Sequence, residues 1–185
     1  TLKLFLIAVG VTYIAIGAFF TALPVFLKKI VKISDTMFLA LSATAGLASL
    51  ALYFIQLRIA EKLEAVWYAH IIALIVRTLL FACPPALVAY PYYFFVLYAA
   101  YGATWAFIGS VQSMIASSLA PPGRKDEILG NMNASMSVGL VIGYVIATLA
   151  DVTGYTTVFT IASALMAVAA ALNLYSVRYY KLGLV

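Results

Sequence analysis

The sequence has 185 residues, of which 66 % are hydrophobic and only 9 % are charged, and its mean hydropathy is +1.10. A soluble domain needs roughly a quarter of its residues charged to cover its surface, so this composition excludes a soluble globular protein. The net charge of +5 is spread over loops and chain ends, which argues against a nucleic-acid-binding patch.

Six apolar segments follow one another along the chain. Each is close to the about 20 residues that an α-helix needs to cross the hydrocarbon core of a bilayer. None shows the alternation of apolar and polar residues that is typical of barrel strands. We therefore predict an all-α membrane protein that forms a single bundle over residues 1–185. The predicted spans are Leu2–Leu27, Thr36–Leu57, Ala65–Ala82, Tyr92–Leu119, Ile128–Ala150 and Tyr155–Val177.

The connecting segments predict the orientation of the bundle. Seven of the Lys and Arg residues flank one side, three flank the other, and Arg77 lies within the third span. Because cytoplasmic loops carry the excess of Lys and Arg, we expect both termini in the cytoplasm and the protein in the plasma (inner) membrane. The chain begins at Thr1 without an initiator Met, so we expect it to be a piece of a longer protein.

The first and fourth spans share a glycine spacing. Gly10 and Gly17 are seven residues apart, as are Gly102 and Gly109. A true repeat would make residues 1–83 and 91–185 two three-helix units, and three spans per unit would give them inverted orientations. Chance also produces such pairs, so the spacing alone leaves both interpretations open.

A stripe of small residues follows the fifth span. Ser135, Gly139, Gly143 and Ala147 recur at every fourth position and form a smooth face that a neighbouring helix can approach closely. A packing seam inside the bundle is favoured over a dimer motif, because five other helices compete for this face.

Further motifs frame this stripe. Pro122 and Arg124 lie in the turn before the fifth span, and G-x-x-x-G is followed by D-x-x-G-x-x-x-x-F from Asp151 to Phe159. The turn LRIAEKLEA before the third span has Glu61 and then Lys62, a degenerate form of G-x-x-x-D-[RK]-x-G-[RK]. With six spans, this pattern resembles the C-terminal half of a major facilitator superfamily transporter over the whole chain, without a substrate-specific signature.

The resemblance implies half of a major facilitator fold, which works as a secondary transporter of a small solute by alternating access. Its partners would be the solute, the lipid bilayer and an N-terminal six-helix half that this chain lacks. The first and fourth spans would line a central cavity, with the second and fifth beside it and the third and sixth behind. The candidate substrate-binding residues on the first and fourth spans are Tyr13, Gly17, Thr21, Tyr98, Tyr101, Trp105 and Gln112.

The polar and aromatic residues of the fourth span carry most of this prediction. Tyr98, Tyr101, Trp105 and Gln112 follow a helical spacing that places them on one face. Such a stripe can line a wet cavity and hold a solute by stacking and hydrogen bonds. Packing against a neighbouring helix, with the polar tips bonded to backbone, is the alternative.

The charged residues indicate gating or charge pairing. Glu61, Lys62, Arg124 and Asp126 are candidates for cytoplasmic ion pairs that hold one state, although ordinary solvated turns explain them as well. Arg77 inside a span predicts an anion-binding group or a charge partner, with snorkelling towards Asp35 or Asp151 as the alternative.

The sequence lacks several chemical signatures. It has no metal-binding cluster, nucleophile motif or nucleotide-binding glycine loop, so we predict no enzyme and no cofactor. No Asp or Glu lies inside a span, so proton coupling would need an acid elsewhere or His70. Two alternative functions remain: a non-transporting assembly or receptor subunit that binds partner proteins, and an autonomous half-transporter that homodimerises.

Overall fold

The computed structural model describes residues 2–59 and 62–181, and within these ranges the chain is helical without any strand. The helices are α1 (Leu2–Phe26), α2 (Asp35–Ile59), α3 (Leu63–Ala82), α4 (Tyr93–Ala106), α5 (Gly109–Leu119), α6 (Lys125–Thr148), α7 (Ala150–Thr153) and α8 (Tyr155–Lys181). A π-helical turn at Leu27–Val31 extends α1, and a 3₁₀ turn at Pro84–Leu87 follows α3.

The predicted membrane spans are confirmed. Six spans in the described part of the chain are long and apolar enough to cross a bilayer. The first runs four residues beyond its predicted end, because the π-helical turn continues it to Val31. The fifth begins at Lys125 instead of Ile128, because Asp126 and Glu127 form the first turn of α6, where acidic side chains favour the helix N-terminus.

The centre of the bundle is α1, which packs along α6 and α8. Glycines bring α1 and α6 together: a methyl group added at Gly143 would meet the backbone of Ile14 and would lie 2.8 Å from the Cα of Gly17. One added at Gly139 would meet the carbonyl oxygen of Gly10. The small-residue stripe is therefore a packing seam inside the bundle, as predicted.

A second close approach joins α2 to α4, its main partner. A methyl group at Gly102 would collide with the carbonyl group of Ala45. On the other side of the bundle α3 packs against α8, where the Ser163 hydroxyl donates to the carbonyl oxygen of Thr78 at 2.7 Å.

Ion pairs mark the two ends of the bundle. At one end Lys28 pairs with Asp35, and Lys29 lies 3.8 Å from Asp151, which ties the turn after α1 to α2 and α7. Arg77 is fully buried and bonds to Tyr101 and Thr104, and neither acid pairs with it, so the snorkelling interpretation of that arginine is wrong. At the other end Arg124 pairs with Glu127.

Candidate functional site

A cavity of about 810 Å³ opens between α1, α2, α4 and α6. Helices from the first, second, fourth and fifth spans form most of its wall, α3 contributes Arg77, and no described residue of α8 belongs to it. The lining residues are Ile16, Gly17, Phe20, Thr21, Ala45, Gly46, Ser49, Leu50, Tyr53, Arg77, Tyr98, Tyr101, Gly102, Trp105, Leu140 and Tyr144.

Five of the seven predicted substrate-binding residues lie in this wall. They are Gly17, Thr21, Tyr98, Tyr101 and Trp105. Trp105 is the most open of the three aromatic residues, with 39 % of its surface exposed, whereas Tyr98 and Tyr101 are buried. The predicted aromatic residues of α4 and the predicted residues Gly17 and Thr21 of α1 therefore line the same cavity.

The other two residues of the prediction lie elsewhere. Tyr13 is buried in a second apolar cluster, with Phe5, Val9 and Val111 among its members. Gln112 is fully buried in α5, and neither of its amide atoms has a hydrogen-bond partner among the described residues. The structure thus separates both of them from the wall of the cavity.

The position of Gln112 follows from a break in the fourth span. The span is one apolar segment, but its helix stops at Ala106 and restarts at Gly109, with a turn at Phe107 and Ile108 between. The prediction that Gln112 shares a face with the aromatic residues of α4 assumed an unbroken helix, and it is wrong beyond this turn. Non-helical backbone at membrane depth needs partners from neighbouring helices.

Polar side chains of α2 and α3 supply these partners. The Nδ1 of His70 donates to the carbonyl oxygen of Phe107 at 2.9 Å. The amide of Gln56 donates to the Ser110 hydroxyl at 2.8 Å, and that hydroxyl also lies 3.1 Å from the Gln56 Oε1. Gln56 is buried, so its amide bonds inside the bundle and not at the membrane interface.

Arg77 connects α3 to the same segment. Its Nη2 donates to the carbonyl oxygen of Tyr101 at 2.6 Å, and its Nε donates to the Thr104 hydroxyl at 3.1 Å. The Cζ atom lies 5.3 Å from the centre of the Trp105 ring and 5.6 Å from that of Phe20, both of which line the cavity. A guanidinium of the supporting third span thus reaches the cavity wall.

Aromatic packing fixes the residues around Arg77. Phe19 stacks on Phe81 with ring centres 3.9 Å apart, and Tyr101 meets Phe19 edge-on at 5.3 Å. The Tyr101 hydroxyl donates to the carbonyl oxygen of Leu80 at 3.0 Å. Tyr101 is therefore held on both its ring and its hydroxyl, whereas Trp105 presents a more open surface to the cavity.

The predicted gating charges are placed only in part. Glu61 lies outside the described residues, and Lys62 is the exposed N-cap residue of α3. Arg124 makes two hydrogen bonds to Glu127, at 2.5 and 2.7 Å, within its own turn, and Asp126 lies exposed in the first turn of α6. The hydrogen bond and the charge of Glu127 raise the pKa of Arg124, which stays charged.

The sequence prediction missed the contribution of α2. Ala45, Ser49 and Tyr53 line the cavity at intervals of four residues, which is the spacing of one helix face. That pattern of small and polar-tipped residues was available in the sequence. The resemblance places the second span only beside the cavity, so it does not point to these residues.

Comparison with known proteins assigns the family. The family model of the Major Facilitator Superfamily matches residues 5–182, which is almost the whole chain. No curated protein and no solved structure matches the chain significantly. The six membrane spans agree with the family match, since members of this family are integral membrane transporters. This chain belongs to the Major Facilitator Superfamily.

Proposed function

We propose that this chain is the C-terminal half of a secondary transporter that moves a small solute by alternating access. In this proposal the cavity between α1, α2, α4 and α6 is one side of the solute pathway. Gly17 and Thr21 of α1 and the aromatic residues Tyr98, Tyr101 and Trp105 of α4 contact the solute. The single observation that carries the proposal is that these predicted residues meet in one large cavity.

The size and chemistry of the cavity support this function. Ligand pockets for small molecules have volumes of about 300–1,000 Å³, and mostly apolar walls with a few polar groups. The cavity, at about 810 Å³, is lined by apolar side chains together with the polar residues Thr21 and Ser49 and the aromatic residues Tyr53 and Trp105. A solute of modest size fits such a site better than a macromolecule does.

The packing of the helices supports two inverted three-helix units, residues 1–83 and 91–185. Inversion exchanges the first span with the fourth and the second with the fifth. The glycine seam between α1 and α6 then corresponds to the contact of Gly102 in α4 with Ala45 in α2. We propose that both seams hold the pathway helices against their flanking helices.

Exposed apolar faces support a missing N-terminal half. Leu47 and Phe54 on α2 and Val141 and Val145 on α6 are largely exposed, and α2 packs extensively only on α4. These helices border the cavity. A second six-helix bundle on that side would close the pathway and cover both helices, whereas lipid would cover α3 and α8. We also propose the plasma (inner) membrane as the location, with both termini in the cytoplasm.

Single-cysteine labelling of the full-length parent protein tests the pathway without knowledge of the solute. In a background from which Cys83 and every cysteine outside this chain have been removed, Thr21→Cys and Ser49→Cys place a thiol in the cavity wall. We expect both to react with a membrane-impermeant methanethiosulfonate, either the anionic MTSES or the cationic MTSET. Alternating access predicts reaction with reagent added on either side of the membrane.

Leu79→Cys is the matched control, because Leu79 is exposed on α3 and does not line the cavity. It should stay unreacted, since a thiol in hydrocarbon does not ionise to the reactive thiolate. Cavity thiols as inert as this control would contradict a solute pathway. Reaction from one side only would contradict alternating access.

A further inference from the structure

We propose that Arg77 is the recognition charge of the cavity and that the transported solute is a small organic anion. This inference rests on the proposed function, because it names the class of solute for the same cavity. It begins with Arg77, which is fully buried and yet belongs to the cavity wall.

The bonds of Arg77 leave one part of its guanidinium unused. Nε and Nη2 are bound by the Thr104 hydroxyl and the Tyr101 carbonyl oxygen, whereas Nη1 has no hydrogen-bond partner among the described residues. The Thr104 hydroxyl shares its one proton between the carbonyl oxygens of Ala100 and Tyr101, at 2.9 and 3.0 Å. The guanidinium is thus held in place, with Nη1 buried and unpaired.

No counter-charge compensates Arg77 within the part of the chain that the structure describes. Asp35 and Asp151 pair with lysines and Glu127 pairs with Arg124, all at the ends of the bundle. Glu64 and Asp126 lie in the first turns of α3 and α6, which are also ends of these helices. None of the other residues that line the cavity carries a formal charge. Aromatic rings and neutral hydrogen bonds stabilise a buried cation only in part, and an anion is its natural complement.

The remaining chemistry of the wall defines the class of anion. Nη1 has two N–H groups without a partner, and Arg77 is the one formally charged residue in the described wall, which suits a single carboxylate. Ile16, Phe20, Leu50 and Leu140 supply an apolar surface for the rest of the molecule. A monovalent organic anion with an apolar body satisfies both features.

Two thiol reagents of opposite charge test the sign of the electrostatic potential in the cavity. In the full-length protein, the rates of MTSES and MTSET with Thr21→Cys and Ser49→Cys are each divided by the rate with a free thiol in solution. A cleft with one sign of charge concentrates ions of the opposite sign by a factor of about 10 or more. We expect the normalised MTSES rate to exceed the MTSET rate by about tenfold in this protein.

Substitution of Arg77 tests whether this residue causes the preference for the anionic reagent. Arg77→Gln should abolish it, Arg77→Lys should retain most of it, and Arg178→Gln should leave it unchanged. Arg178 is the matched control because it is an exposed arginine at the far end of α8. Size-exclusion profiles identify variants that fail to fold. If Arg77→Gln is one of them, the ratio of the MTSES rate to the MTSET rate in the protein that retains Arg77 decides the test.

Three results would overturn the inference while sparing the proposed function. One is labelling by both reagents at equal normalised rates, and another is an anion preference that survives in folded Arg77→Gln. The third is a protein that shows no preference for MTSES while it retains Arg77 but prefers MTSET once it carries Arg77→Gln. This result would show that a carboxylate of the N-terminal half already neutralises Arg77. Cavity thiols that neither reagent reaches would instead contradict the proposed function itself.

Discussion

At the scale of single residues, buried polar side chains join the fourth span to its neighbours. His70 and Arg77 of α3 and Gln56 of α2 each bond to a group in α4, α5 or the turn between them. Unpaired polar groups are costly in hydrocarbon, so each bond stabilises the arrangement that places its partner. Trp105 and Tyr101 occupy the cavity wall because these bonds fix the backbone beside them.

We expect Gln56 and Ser110 to be energetically coupled. A double-mutant cycle with Gln56→Leu and Ser110→Ala, followed by unfolding in mixed micelles, should give a coupling free energy of about 0.6–1.7 kcal/mol. Ser118→Ala replaces Ser110→Ala in the control cycle, because the Ser118 hydroxyl bonds only to its own helix. A coupling with Ser110 no larger than in the control cycle would contradict a direct bond between the two side chains.

The sequence predicted these residues less well than the aromatic stripe. A glutamine near the end of an apolar span looks the same whether it caps a helix or bonds across the bundle. Gln56 finds its partner 54 positions later, and His70 finds the Phe107 carbonyl 37 positions later. Such pairs depend on tertiary packing, which the local pattern does not contain.

At the scale of elements, glycine seams set how closely the helices approach. The four-residue spacing of Gly139 and Gly143 correctly predicted a packing face on α6. The break between α4 and α5 was not predictable in the same way. Phe107 and Ile108 are as apolar as their neighbours, and the turn is stabilised by side chains from other helices.

We expect Gly143→Ala to destabilise the bundle by about 1–3 kcal/mol, the usual cost of overpacking. The new methyl group would lie 2.7 Å from the amide nitrogen of Ala18, and the backbone cannot yield as a flexible side chain does. Thermal unfolding in detergent should therefore show a lower midpoint for this variant.

Gly130→Ala is the control in the same helix, because an added methyl group there meets nothing within 4 Å. It should not lower the midpoint, since alanine is the better helix former. Equal losses of stability in the two variants would contradict the seam as the cause.

At the scale of the whole molecule, the six spans and their family were predictable because hydropathy and loop charge act over whole segments. Orientation depends on the same charge pattern, with seven Lys and Arg residues against three. The lysines of the smaller group are partly neutralised, since Lys28 and Lys29 pair with Asp35 and Asp151. Because Asp and Glu contribute little to the positive-inside rule, these pairs leave the count of seven against three as the basis of the proposed orientation.

Labelling in intact cells tests this orientation. In the same cysteine-free background, Tyr92→Cys before α4 should react with an impermeant maleimide, because this position is exposed on the outer side in the proposed topology. Pro121→Cys between α5 and α6 should react only after the cells are permeabilised. The opposite pattern would invert the proposed orientation.

The packing of α2 has a consequence for biosynthesis. This helix has its main partner in α4, and α1 has its own in α6 and α8, so the strongest helix pairs join segments that are far apart in the chain. When the ribosome has delivered only the first three spans, they hold few of their final contacts and are surrounded mainly by lipid. Assembly of the bundle therefore waits for the last helices to enter the membrane, and truncation before α8 removes a partner of both α1 and α3.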